Sequence, residues 1–574
     1  MTEIKPRDVQ VSPIGTTDTT VLRSRTWDRL KFEVEYSLQK GTTANSYLIQ
    51  GEKTVLIDPP GESFTAIFLS KLQELLDLQQ LDYIILGHVN PNRIFTLKSL
   101  LELAPNITLV CSKPGAVALR TAFPEQELKI LTPRPEDTLD LGKEHQLQFI
   151  TIPTPRWPDG LCTFDSGSRI LFTDKLFGSH VCGDAVFDEN WKQLDEDRRY
   201  YYDCLHASQA KQVEAALDKL ALVSPKFYAP GHGSIIRYSL SRLTHDYRNW
   251  SQEQKDQELK VALIYASAYG NTATLAQALA KGITKAGVAV ESINCEFADT
   301  AEIEAAVQKC DGFIIGSPTL GGHMPTQVQT ALGIVLSTAT KTKLAGVFGS
   351  FGWSGEAVDE IETKLKDAGY RLGFESIRVK FKPNDITLQQ CKETGTDFAQ
   401  ELKKSKKVRA PWQSVSTSQI DRTEQAVGRV VGSLCVLSAK RENISSGMLA
   451  SWVTQASFNP PGITVAIAKD RAVESLTHTG DNFVLNILQE GKTIRRHFLK
   501  PFAPGEDRFA GLNVIESENG CPILNEALAY LECTVKNRME CGDHWLVYAG
   551  VNNGKVLQST GITAVHHRKS GSHY

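Results

Sequence analysis

The run VALIYASAYGNT at residues 261–272 constrains this chain more than any other stretch. Its uncharged, β-branched and aliphatic first half predicts a strand buried on both faces. The run then breaks into Ser267, Ala268, Tyr269, Gly270, Asn271 and Thr272 before the helical pattern TLAQALAKGI. A strand, a small-residue loop and a helix in that order aim backbone N–H groups and the positive end of a helix dipole at one point, which suits a phosphate monoester. Ser267, Tyr269, Gly270, Asn271 and Thr272 are therefore a candidate mononucleotide site, and a capped strand-to-helix turn without a ligand is the plain alternative.

Two later stretches share the plan. GFIIGSPTL at 312–320 and VFGSFGWSG at 347–355 are buried-strand patterns ending in small residues, the second with an aromatic side chain at its mouth. In a doubly wound α/β sheet, ligands gather beyond the carboxyl ends of the strands at the switch point. On these three loops, residues 260–404 resemble flavodoxin. The resemblance implies FMN, with Ser267, Tyr269, Gly270, Asn271 and Thr272 around the phosphate. Ser317, Pro318, Thr319, Gly349, Phe351, Gly352, Trp353 and Gly355 would then flank the isoalloxazine, Trp353 as core packing being the alternative.

The chain is long enough for about three domains, each with its own core. A formal charge of -3, from 63 basic and 66 acidic residues, leaves no basic field for nucleic acid and no polybasic membrane patch. The 11 cysteines include no CxxC pair, so disulfide frameworks, zinc ribbons and iron–sulfur clusters lack support. No apolar run has signal-peptide or membrane-span length, and a cytoplasmic protein is expected.

Before the flavodoxin-like part, apolar runs repeatedly end in polar loops: LDYIILGHVNPNRI, LQFITIPTPRWPDG, SRILFTDKLFG and KFYAPGHGS. Strands that deliver their last residues to one rim are how an αββα metal hydrolase fold builds a site. With LGHVNPNR, PTPRWPDGL, LFTDKLFGSH and APGHGSIIR as landmarks, residues 30–250 resemble the metallo-β-lactamase-like αββα domain of flavodiiron proteins. In that family, histidines and carboxylates at these landmarks hold two irons. Here His88 and His232 match ligands, but Asn90 and Asn92 replace carboxylates, Arg93 and Arg156 replace histidines, and Lys175 stands where an Asp would bridge the metals.

Three carboxylates have been exchanged away and three permanent cations gained. Unit charges about 4 Å apart in a partly wet site interact by about 4 kcal/mol each, so such a pocket repels iron. No di-iron centre of the family's kind is expected. Three buried cations need carboxylate partners or a bound anion such as chloride or phosphate, and Asp58, Asp159 and Asp174 are the nearest acids by landmark. The alternative is that the Arg and Lys side chains swing out to solvent.

The segment 403–422, KKSKKVRAPWQSVSTSQIDR, is basic, then rich in Ser, Thr and Gln, and aperiodic, as a linker would be. From 423 to 574 short alternating strands with Gly and Asn turns predict a barrel. SSGMLASWVTQASFNPP and GDHWLVYAGVNNGKV make this part similar to the flavin reductase family, a split β-barrel domain that takes FMN or FAD. The resemblance implies Ser451, Trp452, Ser457 and His544 along that flavin. Trp452 stands equally for barrel core, and a lone His544 for a structural histidine.

The order of the parts, 30–250, 258–402 and 423–574, is that of three-module flavodiiron proteins from oxygenic phototrophs. The resemblance implies NAD(P)H as donor, two flavins, oxygen reduction to water in photoprotection, and head-to-tail dimers in which one subunit's FMN faces the other's metals. A chain that keeps flavins and loses ligands is expected to serve a homo- or hetero-oligomer with a di-iron-bearing relative. A regulatory FMN-binding subunit is the second expectation, and metal-dependent hydrolysis fails with the missing ligands.

Overall fold

The computed structural model describes residues 5–28, 31–32, 35–36, 40–409, 424, 426–491 and 494–567. The chain divides into two compact units, the first comprising Met1–Gln277, Val288–Gly349 and Ser354–Arg371, the second Ala278–Gly287, Ser350–Trp353 and Leu372–Tyr574.

The first unit opens with two facing sheets. A seven-stranded sheet runs, in spatial order, through Asp8–Ile14, Thr16–Thr26, Thr42–Gln50, Thr54–Ile57, Leu81–Ile85, Thr108–Val110 and Ile130–Leu131. The opposing five strands are Thr138–Gly142, His145–Thr151, Leu161–Asp165, Ile170–Asp174 and Phe227–Pro230. Tyr47, Ile57, Phe149, Ile170 and Phe172 fill the space between them, with the Tyr47 and Phe172 rings 5.0 Å apart. Helices Thr65–Leu75, Pro91–Leu103 and Lys113–Ala122 cover one outer face and Asp195–Leu205, Ala210–Leu220 and Leu240–Lys255 the other, each through a buried apolar cluster. This is the expected αββα architecture. Its first sheet begins at Asp8, however, so a start at residue 30 leaves out two strands.

The next sheet has the order Ala289–Asn294, Lys260–Tyr265, Gly312–Pro318, Leu344–Phe351, Arg371–Leu372, with Ile377–Lys380 also pairing to Leu344–Phe351. The first three strands are parallel, and the order reverses at Lys260–Tyr265, the doubly wound arrangement with its switch point there. Val261, Leu263, Ile264, Phe313, Ile314 and Ile315 are buried, which accounts for strands that carry no polar alternation. The closing helix, Asp385–Arg409, runs into the expected linker, whose remainder from 410 to 422 lies outside the described residues.

In the second unit a seven-stranded antiparallel sheet has the order Ile444–Ala450, Cys435–Arg441, Asn482–Ile487, Ala529–Cys541, His544–Val556, Pro461–Ala468, Val453–Phe458. Leu437, Val465, Phe483, Leu485, Val535 and Val547 form its core. Two bulges in the pairing of Ala529–Cys541 with His544–Val556 add the curvature a split barrel requires.

Candidate functional site

The αββα pocket is built around Arg93. Asn90 starts the Pro91–Leu103 helix by accepting from the Arg93 backbone N–H at 3.1 Å, which turns the Arg93 side chain inward and leaves Asn92 exposed on the outer face. The Arg93 guanidinium donates through Nη1 to Asp58 Oδ1 at 2.7 Å and through Nη2 to Asp174 Oδ1 at 2.8 Å. Both aspartates sit at strand ends in the left-handed region, φ 53° and 46°, a conformation that short polar side chains tolerate and that aims the two carboxylates at one cation. Burial pushes the Asp58 carboxyl up. Asp174, despite burial, is held well below the ordinary carboxylate range by His88 and Arg93.

The two retained histidines are already engaged. Asn90 Nδ2 donates to His88 Nε2 at 3.0 Å, so the His88 proton sits on Nδ1 and is donated to Asp174 Oδ2 at 2.5 Å. His232 donates from Nδ1 to the Thr43 carbonyl at 2.6 Å, and burial, then Lys175, drives its pKa well down. Arg93 and Lys175 are each 8 % exposed, so these two cations do not swing out to solvent. Lys175 lies over the Trp157 ring at 5.7 Å and Arg156, half-buried, over the same ring at 4.6 Å. Asp159 accepts from the Val89 N–H at 2.6 Å, and burial raises its pKa. A cavity beside these groups is lined by His88, Trp157, Lys175 and His206 among others.

The 267–272 loop leaves the switch-point strand as expected. Ser267 Oγ accepts from the Ala273 N–H at 3.0 Å, Gly270 takes φ 78° in open space, and Thr272 is buried. Tyr269 is 83 % exposed. Beyond Gly312–Pro318, Ser317 donates to the Pro318 carbonyl at 2.8 Å, and Thr319 Oγ1 is shielded without a hydrogen-bond partner. At Gly349 a Cβ would come within 2.4 Å of the Ser317 carbonyl oxygen, so only glycine lets these strand ends close up. An orphaned hydroxyl, an open glycine and a capped helix start fit a phosphate-bearing flavin. In the second unit, Phe351 and Gly352 are half-buried, and Trp353 is 90 % exposed with its ring edge-on to Phe381, which rules out Trp353 as plain core within this chain. Gly355 precedes the Glu356–Asp367 helix.

In the barrel, Trp452 lies 4.9 Å from the His544 imidazole, whose Nδ1 is fixed by Asp543 at 2.8 Å. His544 Nε2 and the Ser451 hydroxyl are both buried and without a hydrogen-bond partner, again a cradle that fits a polar ring edge. Ser457 is not part of this group. It donates to the Pro460 carbonyl at 2.8 Å and pairs with Gly462, whereas His544 pairs with Ala468, six residues away along the same strand, roughly 20 Å.

Models of three families match the chain in this order: ODP family beta lactamase over 42–233, Flavodoxin over 263–395 and Flavin reductase like domain over 427–571. It is 68 % identical to a diflavin flavoprotein A of Nostoc sp., with 100 % of both chains covered. The chain belongs to the diflavin flavoprotein A family. Diflavin flavoprotein A 1 of Synechocystis sp. is 44 % identical over 97 % of this chain and 96 % of its own. The metal-soaked Flv1 flavodiiron core from Synechocystis sp. superposes with a TM-score of 0.68 at 60 % identity, covering 70 % of this chain and 100 % of that one. As a diflavin flavoprotein A, the chain is a flavin-binding oxidoreductase that works by flavin-based electron transfer. Among its described residues no helix is long and apolar enough to cross a membrane.

The αββα pocket of this diflavin flavoprotein A does not fit two irons. Both ring nitrogens of His88 are tied, to Asn90 and Asp174, and a guanidinium stands between the acids. Sequence reasoning missed four neighbours: His180, bonded to Thr42 Oγ1 at 2.9 Å; Tyr201; Asn45; and His206, whose Nε2 donates to the Lys175 carbonyl at 3.0 Å. Only LFGSH, which ends in His180, carried a signal for any of them.

Proposed function

We propose that this chain carries electrons from NAD(P)H towards the reduction of oxygen to water as one subunit of a head-to-tail hetero-oligomer whose partner holds the di-iron site. The observation that supports this reading is the Arg93 fork across Asp58 and Asp174, a fixed cation standing between acids in the αββα pocket. A bound flavin, FMN in the flavodoxin-like module and FMN or FAD in the barrel, takes electrons in pairs and gives them singly. Ser267, Tyr269, Gly270, Asn271 and Thr272 hold the phosphate, with Thr319 Oγ1 offering its unused hydrogen bond to the ring. Ser317, Pro318, Gly349, Phe351, Gly352, Trp353 and Gly355 belong to the loops that flank that ring. Ser451, Trp452 and His544 orient the barrel flavin.

The purified chain tests this. Mixed with NADPH in a stopped-flow instrument, its bound flavin bleaches rapidly and it reduces an artificial acceptor, while oxygen consumption is slow and yields mainly peroxide. Fast four-electron reduction of oxygen by the iron-free chain alone contradicts the proposal. A flavin that never bleaches with NADPH or NADH favours the second reading, an FMN-binding regulatory subunit.

A further inference from the structure

Tyr265 and Asn294 end neighbouring parallel strands as register partners. Both donate to the same acceptor, the Pro155 carbonyl oxygen, Tyr265 through Oη and Asn294 through Nδ2, each at 3.2 Å. A carbonyl oxygen has two lone pairs, so it satisfies both donors at once. Pro155 belongs to the αββα loop that carries Arg156 and Trp157, and that loop is stiff. Its three prolines fix φ at 153, 155 and 158. The Thr154 N–H donates to the Trp157 carbonyl, and the Trp157 N–H to Thr154 Oγ1, each at 3.0 Å.

What lies on either side of this clamp gives it a use. On one side, the Trp157 ring stands edge-on to His88 at 6.2 Å and to His206 at 6.1 Å. On the other, Tyr265 lies two residues before Ser267, and Asn294 Oδ1 accepts from the Glu296 N–H at 3.0 Å. The helix after the phosphate loop is tied to the same region, since Gln277 Nε2 donates to the Cys204 carbonyl at 2.6 Å. Gln209, farther along that segment, accepts from the Arg156 N–H at 3.3 Å, and His206 lies between 204 and 209. The strand before the loop and the helix after it are therefore both hydrogen-bonded to the segments that place Trp157 and His206.

We infer that Tyr265 and Asn294 are positioning residues that couple occupancy of the 267–272 loop to the Trp157 and His206 wall of the Arg93 pocket. The inference rests on that loop being an FMN site. A ligand that orders the loop fixes the ends of both strands, and through Pro155 it restrains 154–157, because a close-packed contact passes on displacement rather than absorbing it.

Amide hydrogen exchange on the full-length chain, stripped of flavin and then reloaded with FMN, tests the coupling. In the unaltered protein, FMN slows exchange several-fold in peptides covering 265–275 and also in those covering 150–160. In the Tyr265→Phe/Asn294→Ala chain it slows the first set alone, and Tyr265→Phe by itself gives an intermediate effect. Protection confined to 265–275 in the unaltered protein overturns the coupling and leaves the FMN site standing. Protection at neither place overturns both, and undiminished protection of 150–160 in the double variant removes these two residues from the pathway.

Discussion

The Arg93 guanidinium bridges Asp174 at 2.8 Å and Asp58 at 2.7 Å, and His88 closes on the far oxygen of Asp174 at 2.5 Å. A fixed cation with two acids and a histidine around it is a self-sufficient polar core, since each charge meets its opposite inside the chain. Replacing Arg93 with Met strands two buried carboxylates. The variant is expected to lose about 3–5 kcal/mol of stability at pH 7, read as a lowered thermal midpoint, because breaking one partner of a buried pair leaves the other uncompensated. Adding Asp174→Asn to Arg93→Met recovers part of the loss. An unchanged midpoint in Arg93→Met shows that the bridge does not form.

His206 supplies a pH test. Burial lowers its pKa from 6.5 to about 4. In the window between those values the unfolded chain takes up a proton that the folded chain refuses, so stability is complete above pH 6.5 and declines as pH falls towards 4. The cost at pH 5 is about 2 kcal/mol. Asp197 acts the other way, its carboxyl raised by burial to about 6, so the comparison must be with a variant rather than with the pH profile alone. His206→Gln, which keeps a donor for the Lys175 carbonyl, should lose less midpoint between pH 7 and pH 5 than the unaltered chain. Parallel losses would show that His206 titrates normally.

The exposed Trp353 separates binding from folding. Trp353→Ala buries nothing new and removes no core contact, so stability stays within about 0.5 kcal/mol. FMN affinity falls about 3- to 10-fold through lost ring stacking, measured by quenching of flavin fluorescence. Ser267→Ala costs about 1 kcal/mol of helix stability through the lost cap at Ala273, and affinity as well. Unchanged affinity in both variants would place the flavin elsewhere.

The Ser451 hydroxyl has no protein partner to lose. Ser451→Ala should leave the fold within about 0.5 kcal/mol and weaken flavin binding at the barrel about fivefold, one neutral hydrogen bond's worth. Ser457→Ala, remote from Trp452 and His544, should leave that binding alone. The reverse order of effects would move the barrel flavin to the Ser457 end.

The charge exchange at the pocket was readable because Arg93, Arg156 and Lys175 stand inside landmarks that also contain Asp159 and Asp174, but the pairing was not, since Arg93 meets Asp58 and Asp174 from 35 and 81 residues away. Geometry was less accessible. Asn92 and Arg93 are adjacent in sequence, yet a helix that starts at Pro91 turns one outward and the other in. The two opening strands escaped because TTDTTVLRSRT reads as polar. Arg23 in it is 1 % exposed and reaches the Ala185 carbonyl at 2.8 Å, a contact across more than a hundred residues that no local pattern signals. Ser457 sits in the same motif as Trp452, and only strand pairing separates them. The shared Pro155 acceptor is of the same long-range kind.

Iron and flavin counted per chain bear most directly on the claim that fixed cations hold the seat of the metals. The measurement is elemental analysis and flavin extraction on the purified protein after incubation with ferrous iron and FMN. Flavin at or above one per chain with iron far below one is the expected result. Two irons per chain, retained through desalting and lost on mutation of His88 or His232, would contradict it.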